Sequence, residues 1–251
     1  MSSARRTSDQ LSPAPGAAGA SGTAGAPGTS GAVGTPGAPG GLPAPGGLRE
    51  RKKQRRYEEI SETAIALFLE RGFEKVSVAE VAEAAEVSKP TLFRYFASKE
   101  DLVLHRFSDH EDEAARVVAA RPAGTAALDA LHRNFLAGLE RNDPVTGLCD
   151  VPAVRAFHRL LYGTPSLVAR LYGYQDRSEQ ALAAALTEAH GGTPLQARLA
   201  AGQIVAVQRI LAEETWRRIA AGESAREAAP DALRSANEAY DQLRAGLPRY
   251  A

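Results

Sequence analysis

Between Ser77 and Lys99 the apolar positions fall at helical spacing in two short blocks. Val78, Val81, Ala82 and Ala85 share one face, and the S-x-x-E capping box of Ser77 and Glu80 marks where that helix starts. Glu86 and Val87 interrupt the stripe. Ser88 is a second N-cap, and Pro90 sits in the first turn, where its missing N–H costs no hydrogen bond. From there Leu92 and Phe96 point toward a core, leaving Lys89, Thr91, Arg94 and Tyr95 for another surface. Ser98 caps a third helix, with Lys99, Glu100 and Asp101 in its first turn. Two short capped helices across a tight turn, the second rich in polar side chains, form a helix-turn-helix suited to a DNA groove.

From Asp101 onward the pattern predicts only helices, with no alternating β-branched run. Arg121-Pro122, Asp143-Pro144, Gly163 to Pro165, Gly191 to Pro194, Gly222 and Pro230 divide this part into segments of helical length. Leu128, Leu131, Phe135 and Leu139 make one stripe; Leu167, Leu171, Tyr174, Leu182 and Leu186 lie along another segment. Leu233, Ala236, Tyr240, Leu243 and Leu247 step by three and four. That heptad-like seam, with the preceding apolar helix from Leu195 to Ala221, is the candidate for self-association, closure of the monomer core being the alternative.

Charge sharpens the functional reading. The segment RERKKQRR places Arg49, Arg51, Lys52, Lys53, Arg55 and Arg56 against a single Glu50. Such a cluster repels itself unless something neutralises it, and phosphates do so with counterion release. It also opposes the positive end of a helix dipole, so local helix stability is not its rationale. The formal net charge is zero, yet residues 1–99 carry 13 basic and 10 acidic side chains and residues 100–251 the reverse imbalance, 17 and 20. This asymmetry directs the N-terminal part toward a polyanion.

On these residues, the block from about Arg51 to Leu104 resembles the DNA-binding domain of the TetR family of transcriptional regulators. The similarity rests on ISETAIALFLERGFEKVSV, SVAEVAEAAEVS and TLFRYFASKEDL. It implies that Lys89, Thr91 and Arg94 face base edges in the major groove, and that Phe93, where the family most often has Tyr, meets thymine methyl groups or sugar. Ser77, Tyr95 and Lys99 would hold phosphates, with Ser88, Pro90, Arg51, Lys52, Lys53 and Arg55 completing the DNA face. This division fits phosphate contacts that position and Arg or Lys contacts that specify. The chain departs from the family pattern at Glu86, where the turn commonly has Gly, and at Phe93, which lacks the phenolic hydroxyl.

The resemblance further implies an all-α architecture: a disordered Gly/Pro/Ala-rich tail (1–47), a three-helix helix-turn-helix DNA-binding domain (48–98) and a larger helical ligand-binding and dimerisation domain (99–251). A homodimer built on a four-helix bundle would place two recognition helices on successive major-groove faces of a palindromic operator, about 34 Å apart. A small-molecule effector, largely apolar with a few polar handles, would enter a pocket among the middle helices. Its candidate lining is His132, Phe135, Arg155, Phe157, His158, Tyr162, Tyr172 and Trp216.

The remaining chemistry is sparse. In the tail, glycine recurs at every third position from Gly16 to Gly40, but only Pro27, Pro36 and Pro39 take the third place of the triplet, and a collagen helix needs three chains. Low-complexity composition is the expected origin, and disorder the expected state. Arg5 and Arg6 have no apolar stretch after them, so no export signal is expected, and no run of about 18 apolar residues could span a membrane. A lone Cys149 excludes an intramolecular disulfide and suits a reducing cytoplasm, where the protein would meet the nucleoid. His105, Asp109 and Asp112 share a helix face, but spacing identifies no fourth metal ligand, so no metal or cofactor is expected. No GxSxG, HExxH or Walker segment occurs, and no enzyme activity is expected. The reading is a homodimeric repressor released from DNA by a ligand. A helical small-molecule-binding protein or enzyme with an incidental helix-turn-helix is the alternative.

Overall fold

The computed structural model describes residues 48–108 and 110–251, which fall in one compact unit. The tail with its glycine register, and Asp109 of the spaced His/Asp set, lie outside the described residues. Among the described residues ten α-helices follow one another: α1 (Leu48–Arg71), α2 (Val78–Ala84), α3 (Lys89–Tyr95), α4 (Asp101–Ser108), α5 (Glu113–Ala119), α6 (Ala127–Glu140), α7 (Pro152–Gly163), α8 (Pro165–His190), α9 (Pro194–Ala220) and α10 (Ala225–Gly246). A 3₁₀ turn (Pro144–Thr146) separates α6 from α7, and no strand occurs among the described residues.

Local chemistry fixes the helix ends. Reciprocal capping boxes start α2 (Ser77 with Glu80), α9 (Thr193 with Gln196) and α10 (Ser224 with Glu227), each satisfying two backbone N–H groups that a helix N-terminus leaves free. Proline opens α7, α8 and α9, where the missing donor is harmless. Pro230 departs from its expected role as punctuation. It lies inside α10, near enough to the N-terminus that the helix loses one early hydrogen bond and continues.

Two apolar cores organise these helices. The first gathers Leu128, Leu131 and Leu139 of α6, Leu182 and Leu186 of α8, Ile204, Trp216 and Ile219 of α9, and Ala236, Tyr240 and Leu243 of α10. Here the seam expected for self-association is corrected. Ala236, Tyr240 and Leu243 are buried within the single chain, and Leu233 and Leu247 pack against the same core. The physical cause is that α10 lays its one apolar face on α6 and α9. Spacing by three and four marks a buried face without naming the partner that buries it.

The second core lies beneath the helix-turn-helix and runs past residue 98. Ile60, Ala64 and Phe68 of α1, Val81 of α2 and Leu92 of α3 meet Leu102, Val103 and Leu104 of α4, then Phe157 and Leu161 of α7 and Leu167 and Leu171 of α8. Polar ties reinforce it. The buried Ser61 hydroxyl donates to the Leu102 carbonyl at 2.7 Å, and Arg170 of α8 holds Asp101 through two bonds of 3.0 and 3.1 Å.

Gly147 has the conformation and the space that only glycine tolerates. Its φ is +78°, and a Cβ there would sit 2.1 Å from the Ala212 carbonyl oxygen and 2.8 Å from the Trp216 nitrogen. The loop after the 3₁₀ turn can therefore lie directly on the backbone of α9.

Candidate nucleic-acid interface

The helix-turn-helix is built from its caps outward. The Ser77 N–H donates to Glu80 at 2.8 Å and the Glu80 N–H donates to Ser77 Oγ at 3.2 Å. The bond from the Ser77 backbone, with Arg71 at 2.5 Å, holds the Glu80 carboxyl down at about 2. After α2 the chain turns at Glu86 with φ +53°, the left-handed region in which a non-glycine residue is strained. Arg56 braces this turn, its Nη2 donating to the carbonyls of Glu86 at 3.3 Å and Ala85 at 3.5 Å. Arg56 is thus drawn out of the basic run to act as a strut, a role the sequence concealed because neighbouring arginines read alike. The Ser88 hydroxyl then caps α3, accepting from the Thr91 N–H at 3.2 Å.

Helix α3 buries Leu92 and turns Lys89, Pro90, Phe93 and Arg94 to solvent, with Phe93 44% exposed. An exposed aromatic ring flanked by two cations on one short helix has no role in the core. Lys89 lies 6.0 Å from the centre of the Phe93 ring, and Arg94 lies 5.8 Å from that of Tyr95. Thr91 is half-buried, its hydroxyl 2.8 Å from that of Ser88. Tyr95 packs edge-on against Tyr57 of α1 at 4.8 Å, and Tyr57 stacks on His105 of α4 at 5.0 Å. Arg51, Lys52, Lys53 and Arg55 are exposed along the first turns of α1.

Lys99 is placed differently from a free phosphate ligand. Its ammonium donates to the Phe73 carbonyl at 2.5 Å and sits 4.3 Å from the centre of the Phe73 ring. It ties the start of α4 to the end of α1.

The eight candidate ligand residues do not converge on one cavity. Phe157 and His158 line a cavity of about 430 Å³ where α1 and α4 meet α7. Phe135 and Tyr162 line a smaller one of about 210 Å³ among α6, α8 and α9, with Gln208 and Arg209 as polar neighbours. Burial pushes the Tyr162 hydroxyl up to about 12, with Glu213 adding to the effect. Trp216 is buried between His158 (4.7 Å, edge-on) and Tyr162 (6.3 Å, stacked) and lines neither cavity. His132 is stacked on Tyr240 at 4.5 Å, its Nδ1 2.8 Å from Arg244, within the packing of α6 on α10. Arg155 lines neither cavity, and Tyr172 is 57% exposed on α8, away from both. Spacing could not separate these outcomes, because an aromatic residue on an amphipathic helix is equally at home in a core, a cavity wall or a rim.

Among the described residues no three His, Cys, Asp or Glu side chains gather as a metal site, and no helix is long and apolar enough to cross a membrane.

A capped turn that presents a cationic, aromatic-bearing helix from an all-helical body defines a helix-turn-helix protein. Residues 60–105 match the sequence profile of the bacterial regulatory proteins of the tetR family. The chain is 37% identical over 135 residues to the HTH-type transcriptional regulator TcmR of Streptomyces glaucescens, covering 53% of this chain and 58% of that one. It is 49% identical over 51 residues to a putative mycofactocin biosynthesis transcriptional regulator, MftR, of Mycobacterium tuberculosis, covering 20% and 26%. The matches thus span between a quarter and somewhat over half the length of these relatives. A crystal structure of a TetR-family regulator from Streptomyces coelicolor A3 aligns over 79% of this chain and 99% of its own, with 22% identity and a TM-score of 0.48. Over residues 60–105 the chain is therefore similar to the tetR family of bacterial regulatory proteins.

Proposed function

We propose that the chain is a sequence-specific DNA-binding transcriptional regulator, a homodimeric repressor that a small molecule releases from a palindromic operator in the bacterial cytoplasm. The observation that carries this reading is α3, where Lys89, Phe93 and Arg94 are exposed together on a helix whose opposite side is anchored by Leu92. Arg94 and Lys89 read base edges, Phe93 meets thymine methyl or sugar, and Ser77, Tyr95 and the exposed cations of α1 take phosphates. The DNA-contacting part is residues 48–98; residues 99–251 carry the ligand and the dimer contact.

The dimer face is reassigned to α9. Leu195, Leu199 and Ile210 are large, apolar and mostly exposed there, which supports an interaction surface on that helix. The effector site is the cavity among α6, α8 and α9, where Phe135 and Tyr162 offer apolar surface and Gln208 and Arg209 the polar handles.

The test is selection of sheared genomic DNA by the purified full chain at near-physiological salt, followed by sequencing. A short shared palindrome in the retained fragments is expected, and Arg94→Ala should lower affinity for it by about 1–3 kcal/mol while sparing non-specific binding. Uniform retention of all fragments, or an equal loss on every sequence, would overturn base reading by α3.

A further inference from the structure

The larger cavity has a chemistry of its own. It lies at the seam where α1 and α4 meet α7 and the 3₁₀ turn. It shares Phe107, His110, Asp143 and Val145 as a wall with the cavity among α6, α8 and α9. Glu58, Glu62 and His158 belong to the larger cavity alone, as Tyr162, Gln208 and Arg209 belong to the smaller.

Its lining is aromatic and acidic. Phe107 and Phe157 are close to parallel, 27° between planes and 6.1 Å between centroids, and present apolar surface. Glu58 and Glu62, one helical turn apart on α1, line it together with Asp143. The one guanidinium on the lining, Arg106, lies 5.6 Å from the centre of the Phe157 ring. The lining thus holds three carboxylates and one guanidinium beside the imidazoles of His105 and His110, and Asp143 is paired with Arg141 at 3.7 Å, so Glu58 and Glu62 make its acidic side. His158 is 6% exposed, and its Nδ1 is buried with no hydrogen-bond partner among the described residues. Burial lowers its imidazole to about 4, so it is neutral at physiological pH and adds no positive charge to the lining. A buried polar atom without a partner costs free energy that a bound molecule can return.

We propose that this junction cavity binds an amphipathic organic cation, its flat apolar body against Phe107 and Phe157, a polar group hydrogen-bonded to His158 Nδ1, and its ammonium beside Glu58 and Glu62. The volume of about 430 Å³ accommodates a two-ring aromatic amine. The site is additional to the effector cavity proposed above, and its occupation does not depend on the DNA-binding reading.

Three probes that share a ring and differ in charge test it: tryptamine, neutral tryptophol and anionic indole-3-propionate, each titrated calorimetrically into the full chain. Tryptamine is expected to bind about tenfold tighter than tryptophol, and indole-3-propionate more weakly still. The double variant Glu58→Gln, Glu62→Gln alters exposed side chains only and should erase the advantage of tryptamine while leaving tryptophol unchanged. His158→Leu should weaken all three. Tyr162→Phe, on the wall of the smaller cavity, should change none. Equal binding of the three probes, no tryptamine binding at millimolar concentration, or a charge preference that survives the double glutamate variant would each overturn the proposal. A preference lost in Tyr162→Phe would also overturn it, by moving the site to the other cavity.

Discussion

Replacing Glu86 by glycine should stabilise the protein. Glu86 holds φ at +53° between α2 and α3, and an L-residue in the left-handed region costs about 1–2 kcal/mol. Glycine removes that cost but gains about 0.5–1 kcal/mol of freedom in the unfolded chain, leaving a net gain near 1 kcal/mol. Glu86 is exposed, and its side chain makes no hydrogen bond among the described residues. The turn itself is held by backbone groups, the Val87 N–H donating to the Ala82 carbonyl at 2.9 Å and Arg56 donating to the Ala85 and Glu86 carbonyls. In a unit of about 200 residues this gain corresponds to a rise of about 2–4 °C in Tm. Thermal unfolding followed by circular dichroism measures it, with Glu86→Ala as the control that removes the carboxylate but keeps the strain. Glu86→Gly should melt above both wild type and Glu86→Ala. A glycine variant that melts with the alanine variant, or below it, would refute the argument from backbone strain. The same reasoning gives Arg56→Gln a loss of about 1 kcal/mol, since its two carbonyl bonds are long, and the pair Arg56→Gln, Glu86→Gly should return close to the wild-type Tm.

The remaining predictions concern packing, association and pH. Gly147→Ala should destabilise by about 3 kcal/mol or more, because its Cβ meets the α9 backbone at a φ reserved for glycine; an unchanged urea midpoint would contradict the close approach. Leu199→Glu should yield a folded monomer by light scattering with its Tm retained. Leu243→Glu, buried in the single chain, should cost about 3–5 kcal/mol of stability instead, and the reverse pattern would return the dimer face to α10. His158 is held at about 4 by burial against about 6.5 when unfolded, so its neutral form contributes stability that is complete above about pH 6.5 and is lost as pH falls through about 4. The total is about 3 kcal/mol, and urea unfolding at pH 7, 5.5 and 4.5 should show a shallower acid loss in His158→Leu than in wild type.

Sequence and structure agree most closely where chemistry is local. The Ser77 and Glu80 box, the Ser88 cap and the inward Leu92 and Phe96 were legible because each depends on neighbours within four residues. What escaped depends on the partner across space. Tyr240 and Leu243 carry the spacing of an interface, yet α6 and α9 cover them. The bond from Lys99 to the Phe73 carbonyl could not be read from sequence either, because it joins residues 26 apart. Arg56 is indistinguishable in sequence from Arg55, and only the return of the chain at Glu86 gives it a separate task. Pro230 reads as a break, but a helix already nucleated by the Ser224 and Glu227 box passes through it.

The continuity of the core beneath the helix-turn-helix bears on how such proteins can be recombined. Leu102, Val103 and Leu104 are fully buried on both their head-side and body-side neighbours, and Arg170 clasps Asp101 at the start of the same helix. A chimera that joins this helix-turn-helix segment to another protein's body at residue 98 would strip α4 from α1 and leave Ile60, Ala64 and Phe68 facing water. The smallest transplantable piece therefore ends after α4, and its recipient must supply an apolar ledge in the place of Phe157, Leu161, Leu167 and Leu171. The same packing separates two kinds of change: the exposed side chains of α3 can be replaced without touching this core, while exchange of the whole head requires a body whose α7 and α8 ledge matches.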